Sequence, residues 1–358
     1  MASFRIALFL LTAGLLSPAL IAQTKIAFVG LLHSHCWTQL GNVGTIAGVE
    51  LVGVAEPEPE LVAEAKKLVP NAEFFSDYRE LIEKKKPDIV WAFVENNRHL
   101  EIAEYLAPRK VHMIFEKPLA STLADARRIR ELAIKNNVHV MTNYQMAWWP
   151  TNQEIKRQAG AGTIGQVLRL RGIVGHGGPG SEGARSKYFF DWLTDPEKNG
   201  AGALVDFGCY NALWALWIKG RPETVYARVD RLQPERFPKV EDNSVLVLGY
   251  KDGVGIFEGS WDLPRSFQDL ELFGREGSLY MTRTALELRQ GRGAAKEIEP
   301  SALPDERNDP IRYMASRVKS GEPTDNIVGL DINVDVVEIL EAAKESVATG
   351  RVVQLPVR

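Results

Sequence analysis

The chain has 358 residues, 45% hydrophobic and 25% charged, with a formal net charge of −3. That length suits two domains at roughly 150 residues each, and the charge balance excludes the basic surface of a nucleic-acid binder or a polybasic membrane binder. Six histidines and two cysteines include no CxxC, HExxH or comparable spacing, so neither a metal site nor a disulfide framework is expected.

The first 22 residues stand apart. Met1–Arg5 carries one positive charge, Ile6–Leu20 is an apolar stretch broken by Pro18, and small residues follow at Ala19 and Ala22. This is the pattern of a secretory signal peptide, cleaved near Ala19 or Ala22. It implies a periplasmic or secreted protein with no stable membrane insertion after cleavage. An uncleaved anchor is the alternative.

From Lys25 the pattern alternates strand and helix. Ile26–Val29 and Val49–Ala55 are strands around a helix over Cys36–Ile46. Pro59–Val69 puts Leu61, Ala65 and Leu68 on one helical face, and Asp77 with Glu80 forms a capping box for a short helix through Lys85. Ile89–Val94, Val111–Phe115 and Val138–Thr142 are further strands. Helices lie at His99–Leu106 and after the Thr122/Asp125 cap, where Ala126, Ile129 and Ala133 share a face. Such alternation implies an α/β domain on a doubly wound parallel sheet, over residues 23–143.

From about residue 144 to 358 the periodicity changes. Leu168 and Leu170 alternate with Arg169 and Arg171, and strands follow at Val225–Val229, Ser244–Tyr250, Val254–Trp261, Leu270–Phe273 and Ser278–Met281. Lys251-Asp252-Gly253 is a hairpin turn. This half reads as an α+β domain on an open, mainly antiparallel sheet. Ile332, Val336, Ile339, Ala343 and Val347 mark one stripe of a long final helix stopped at Gly350.

Three places carry candidate chemistry. Gly30-Leu31-Leu32-His33-Ser34-His35 occupies the first βα turn, where a dinucleotide binder has GxGxxG, but Leu32 and His35 stand at the second and third glycine positions. The turn still leads into a helix N-terminus suited to an anion. His33 and Ser34 either add donors there or simply cap the helix; for a metal, no third ligand is in view. Glu56 ends the second strand, where an acid accepts ribose hydroxyls and disfavours a 2′-phosphate, unless it is only a solvent-facing acid. The second place is Glu116-Lys117-Pro118, which puts a lysine at the carboxyl edge of the sheet; the alternative is a surface turn. In the third, Asp206 and Tyr210 lie four apart on a largely apolar helix from Leu204 to Trp217, as an acid/base pair facing Lys117 or as a polar pair satisfied by backbone. Trp148, Trp149 and Trp192 are either core residues or aromatic walls for a ring-shaped ligand.

These residues together resemble the glucose–fructose oxidoreductase / inositol dehydrogenase / MocA (Gfo/Idh/MocA) family over nearly the whole length after residue 22. Glu116-Lys117-Pro118 matches its Glu-Lys-Pro signature. Asn96 and His99 fall in its Thr-Pro-Asn-x-x-His segment, with Val94 and Glu95 replacing the threonine and proline. Asn143-Tyr144-Gln145, Pro150, Gly162–Gly165 and Glu241-Asp242-Asn243 fit as well, and Gly200–Tyr210 is similar to its Asp-x-Gly-x-His helix with Tyr210 in place of histidine. The resemblance implies a Rossmann domain followed by a domain whose open sheet often builds a dimer. It also implies an oxidoreductase acting on a sugar, glycoside or polyol with NAD(H), preferred here over NADP(H) because of Glu56. Lys117 and Tyr210 would flank the reacting oxygen, and Asp206 would orient or polarise it. Gly30, His33, Ser34, Glu56, Asn96, His99, Glu116 and Lys117 would bind the cofactor, and Tyr144, Trp149 and Trp192 the substrate. Export favours a retained, internally recycled cofactor. A non-catalytic carbohydrate binder, or cleavage of glycosides through transient oxidation, is the alternative. Lys117 and Tyr210 are expected to be required for hydride transfer and dispensable for folding.

Overall fold

The computed structural model describes residues 23–357. Residues 1–22, where a signal peptide or an uncleaved anchor is expected, lie outside the described residues. The first domain runs β1 (Thr24–Val29), α1 (Cys36–Val43), β2 (Val49–Ala55), α2 (Pro59–Lys66), β3 (Phe74–Phe75), α3 (Tyr78–Lys85), β4 (Ile89–Ala92), α4 (His99–Leu106), β5 (His112–Glu116), α5 (Leu123–Asn136) and β6 (Val140–Asn143). Its six strands pair in parallel in the order β3-β2-β1-β4-β5-β6. All four residues of β4 are buried, as a central parallel strand covered on both faces requires. The order reverses beside β1, so a crevice opens between the loops that follow β1 and β4.

Several boundaries differ from expectation. The helices α1 and α2 end early, at Val43 and Lys66. Leu68 therefore falls past the helix and is 38% exposed instead of sharing the Leu61/Ala65 face. Asp77 does cap α3, accepting from the Arg79 N–H at 2.8 Å, and the Thr122 Oγ1 caps α5 from Asp125 at 3.1 Å.

The second domain continues with α6 (Pro150–Gly160), β7 (Val167–Gly175), α7 (Gly183–Leu193), α8 (Pro196–Asn199), α9 (Ala203–Asp206), α10 (Gly208–Lys219), β8 (Thr224–Asp230), β9 (Asn243–Tyr250), β10 (Gly253–Ser260) and β11 (Phe267–Gly274). It closes with β12 (Ser278–Met281), β13 (Leu286–Arg289), β14 (Lys296–Glu297), α11 (Pro310–Ser320), α12 (Leu330–Thr349) and β15 (Val353–Gln354). Nine strands form one sheet in the order β14-β13-β12-β11-β7-β10-β9-β8-β15. Every pair is antiparallel except β7 with β10. One face is covered by α10, where Asn211 Nδ2 donates to the Glu258 carbonyl at 3.0 Å. The other leaves Tyr226 and Ile256 exposed.

The expected helix from Leu204 to Trp217 is broken. At Phe207 its axis turns by 55° between the α8–α9 segment and α10, a kink placed beside Gly208, where such breaks usually fall. Val347, expected on the buried stripe of α12, is 37% exposed. No single described helix is long and apolar enough to cross a membrane.

Candidate functional site

Gly30 leaves β1 at φ +78°, and an added Cβ would meet Val94 Cγ1 at 2.5 Å, so the turn is built for glycine. Leu32 and His35 are not among the positive-φ residues, so the backbone here asks for no glycine at either position. The loop is tied down instead by the Leu32 and His33 N–H groups, which both donate to the Phe93 carbonyl, at 3.0 and 3.1 Å.

Glu56 supports the same loop. It is buried, its Oε2 accepts from the Leu31 N–H at 2.6 Å and its Oε1 from the Glu58 N–H at 2.9 Å. It is thus not the solvent-facing acid of the plainer reading. Burial pushes its carboxyl up to about 7, while the two backbone N–H groups pull the other way.

His33 is buried and its Nδ1 accepts from the His35 N–H at 3.2 Å. An accepting Nδ1 leaves the proton of the neutral ring on Nε2, and burial, with His35 second, holds the ring's pKa well below the usual value. His35 Nδ1 lies 2.8 Å from Glu116 Oε2, and Glu116 Oε1 accepts from Asn143 Nδ2 at 3.0 Å. A third potential metal ligand is therefore present after all: His33, His35 and Glu116 offer ligand atoms within 4.8 Å of one another. The tautomer opposes a cation there, because Nε2 of His33 carries a proton where a metal needs a lone pair. Neither histidine nor Ser34 caps α1: His35 occupies the N-cap position without a side-chain bond, and Ser34 is exposed.

Asn96 follows β4 and reaches across to the second domain, donating to Asn199 Oδ1 at 2.8 Å. His99 is fully buried, stacked on Phe115, with Nδ1 3.0 Å from the Leu119 carbonyl, and burial lowers its pKa to about 4. His33 Nε2, Asn96 Oδ1 and His99 Nε2 are buried without a protein partner. Unpaired buried polar atoms are costly. Three of them around the crevice beyond β1 and β4 fit a polar ligand such as a dinucleotide, which those atoms would hold with the α1 N-terminus.

Lys117 is not on a surface turn. It is 5% exposed and paired with Asp206 Oδ1, with its Nζ also 3.2 Å from the Asp206 carbonyl. The Trp261 indole N–H donates to Asp206 Oδ2 at 2.8 Å. Burial alone would lower the lysine and raise the acid, but each charge holds the other, so Lys117 lies above and Asp206 below its ordinary range. Tyr210, on α10 beyond the kink, puts its ring 5.3 Å from Lys117 Nζ. Its phenol is nevertheless pushed up, since burial outweighs the ammonium. The structure thus brings Lys117, Asp206 and Tyr210 together, although the two C-terminal residues come from separate helical segments.

Of the aromatic candidates, Tyr144 meets Tyr210 edge-on at 5.2 Å, and its buried hydroxyl lies beside the Cys209 thiol. Trp192 lies instead on the β1–α1 loop, donating to the Leu32 carbonyl at 3.3 Å and packing against His33. Trp149 is buried beneath Arg283. Trp148 packs on Tyr313 and lines a separate cavity of about 230 Å³. Trp261 escaped sequence reasoning: a tryptophan closing a strand looks like core, and only pairing reveals its hold on Asp206.

Two family descriptions match the chain: "Oxidoreductase family, NAD-binding Rossmann fold" over residues 24–144 and "GFO/IDH/MocA C-terminal domain" over residues 152–280. A levoglucosan dehydrogenase of Pseudarthrobacter phenanthrenivorans is 27% identical over 65% of this chain, the match spanning only 58% of that relative. A myo-inositol 2-dehydrogenase of Thermotoga maritima is 26% identical over 82% of this chain and 86% of its own. The crystal structure of aldose-aldose oxidoreductase from Caulobacter crescentus, complexed with glycerol, shares the fold with a TM-score of 0.80 at 20% identity, covering 93% of this chain and 100% of that one. Matched in both of its domains, the chain belongs to the Gfo/Idh/MocA family of NAD-binding oxidoreductases.

Proposed function

We propose that the protein is an exported NAD-dependent oxidoreductase that oxidises or reduces a CH–OH/C=O centre of a sugar, glycoside or polyol, keeping its cofactor bound through turnover. The observation that carries this reading is the buried Lys117–Asp206 pair beside Tyr210 at the carboxyl edge of the parallel sheet. The names of the relatives, acting on levoglucosan, myo-inositol and aldoses, support a carbohydrate substrate.

Bound NAD supplies the hydride acceptor or donor. Alcohol oxidation releases one hydride and one proton, and the protein must manage the proton. In the resting site Lys117 is charged and Tyr210 keeps its phenolic proton. Both are therefore donors to an oxygen that gains negative charge, and Tyr210 is the group able to pass a proton across. Alcohol oxidation runs the same path backward once the Tyr210 phenol has lost its proton to solvent, a loss that the Lys117 ammonium favours against burial. Asp206, bonded through both oxygens, keeps Lys117 charged and aimed.

A retained cofactor reconciles export with nicotinamide chemistry, because each oxidation is reversed by a later reduction within the site. The acidic end of β2, with Glu56 followed by Glu58 and Glu60, supports preference for NAD(H) over NADP(H). The purified protein should carry NAD(H) detectable by mass spectrometry after denaturation, and its bound nicotinamide absorbance should change on adding levoglucosan, myo-inositol or an aldose. Protein free of nucleotide, or tighter binding of NADP(H) in calorimetry, would count against these readings. A bound nucleotide unmoved by every sugar would favour the carbohydrate-binding alternative. Fractionation of producing cells tests export: protein retained in the cytoplasm at full length would reject it.

A further inference from the structure

His176 follows Gly175, the last residue of β7, which pairs in parallel with Ser260 at the end of β10. Its N–H donates to the Ser260 carbonyl at 3.1 Å. The next residue of that strand is Trp261, whose indole holds Asp206. Parallel neighbours end at the same sheet edge, whereas antiparallel ones end at opposite edges. The one parallel pair in this sheet thus delivers His176 and Trp261 side by side. The His176 ring also meets Phe207, the residue after Asp206, edge-on at 5.2 Å.

The ring is held in one tautomer. Its Nδ1 accepts from the Gly178 N–H at 3.0 Å. Gly178 adopts φ +81°, and a Cβ there would come within 3.0 Å of Phe237 Cζ, so the turn that presents this N–H needs glycine. The neutral ring must then carry its proton on Nε2. Burial keeps the imidazole below its ordinary pKa, with Asp206 opposing and Lys117 assisting. His176 is half-buried, and among the described residues its Nε2 has no protein acceptor.

Asp206 holds Lys117 and Trp261 through its two oxygens and, ionised, can only accept hydrogen bonds, so a neutral donor to a substrate oxygen must come from another group. We propose that His176 is a substrate-contacting residue whose Nε2–H donates to a hydroxyl or carbonyl oxygen of the carbohydrate beside Lys117 and Tyr210. A neutral imidazole can polarise an oxygen without adding a second cation next to the lysine. This assignment rests on the carbohydrate reading above.

The test compares His176→Leu, which removes the donor, with His176→Gln, which keeps an N–H at similar reach, using levoglucosan, myo-inositol and D-glucose as probes. For the best sugar, His176→Leu should lower kcat/KM by about tenfold or more, chiefly through KM. His176→Gln should restore most of it, and NAD(H) affinity by calorimetry should stay unchanged in both. Unchanged kcat/KM in His176→Leu, or an equal loss in both variants, would overturn the assignment. If no sugar is turned over, the redox reading fails by itself. His176 is then judged from calorimetric binding of the same sugars, which His176→Leu must weaken; equal affinity, or no binding, overturns it too.

Discussion

Lys117 and Asp206 exclude water almost completely and depend on each other for charge. Removing one member of such a pair leaves an uncompensated ion, typically at about 3–5 kcal/mol. Lys117→Met is therefore expected to unfold at clearly lower denaturant, contrary to the sequence-based expectation that this lysine is dispensable for folding. Adding Asp206→Asn should recover most of the loss, and a single variant as stable as the parent would refute the coupling. The Tyr210 hydroxyl makes no hydrogen bond to another described residue, and its backbone N–H bond to the Phe207 carbonyl at 3.1 Å survives substitution, so Tyr210→Phe should fold normally and lose about 10²-fold in turnover. Glu56 gives a pH signature. Its carboxyl sits at about 7 in the fold against 4.5 for the free group, so the folded chain holds a proton that the unfolded chain has lost. Its contribution is full below about pH 4.5 and falls as pH rises toward 7, by roughly 3 kcal/mol. His99, with a pKa lowered to about 4, works in the opposite direction. The difference in stability between the parent and Glu56→Gln isolates the glutamate: in nucleotide-free protein it should change between pH 4.5 and 7, and a flat difference would mean that Glu56 is ionised throughout.

The helix α7 shows how an element of the second domain serves the first. Its Tyr188 donates to Glu58 Oε2 at 3.0 Å, Arg185 lies over Trp37, and Phe189 and Trp192 pack against His33. It therefore covers the β1–α1 turn, where the missing glycines would have left space. Trp192→Ala should cost about 3–5 kcal/mol and hasten exchange of bound nucleotide for labelled NAD; exchange at the parental rate would separate α7 from cofactor retention. The same helix marks the limit of what sequence could supply. Strands such as Ile89–Ala92 are legible because both faces are buried and the run is apolar throughout. The segment Gly183–Leu193 splits its aromatics, with Phe189 and Trp192 against His33 of the other domain and Phe190 against Phe237 of its own, so its pattern lacks a clear core stripe. Lys117, Asp206 and Tyr210 were legible because each is a polar residue set in apolar or glycine-rich surroundings. His176 and Trp261 were not, since their meeting depends on pairing between strands about 85 residues apart in the chain. The kink at Phe207 left only one mark in the sequence, Gly208, and a lone glycine inside a helical pattern is often accommodated without a break.

The two halves share their interior. One hydrophobic cluster runs from Phe28, Leu31 and Trp91 of the first domain through Tyr144 to Trp214, Leu246 and Phe257 of the second. The helix α12 closes this arrangement by burying different sides in different places. Val336, Ile339, Leu340 and Ala343 join that shared cluster, whereas Val337 enters the cluster formed by α3, α4 and α5 of the first domain. Its polar residues bridge the same gap. Glu338, itself buried, accepts from Arg127 of α5 and from Arg221 of the second domain, and Lys344 Nζ donates to the Ser121 carbonyl at 3.1 Å. Without the second half, residues 23–143 would expose the apolar surface that receives Val337 together with their share of the common cluster. Neither half has a complete core of its own, so the chain should unfold as one unit despite its two sheets. Thermal or denaturant unfolding is expected to show one midpoint by far-UV and near-UV circular dichroism alike, and the fragment 23–143 should fail to fold in isolation. Two separated transitions, or a stable isolated fragment, would show that α12 only decorates a boundary between independent domains.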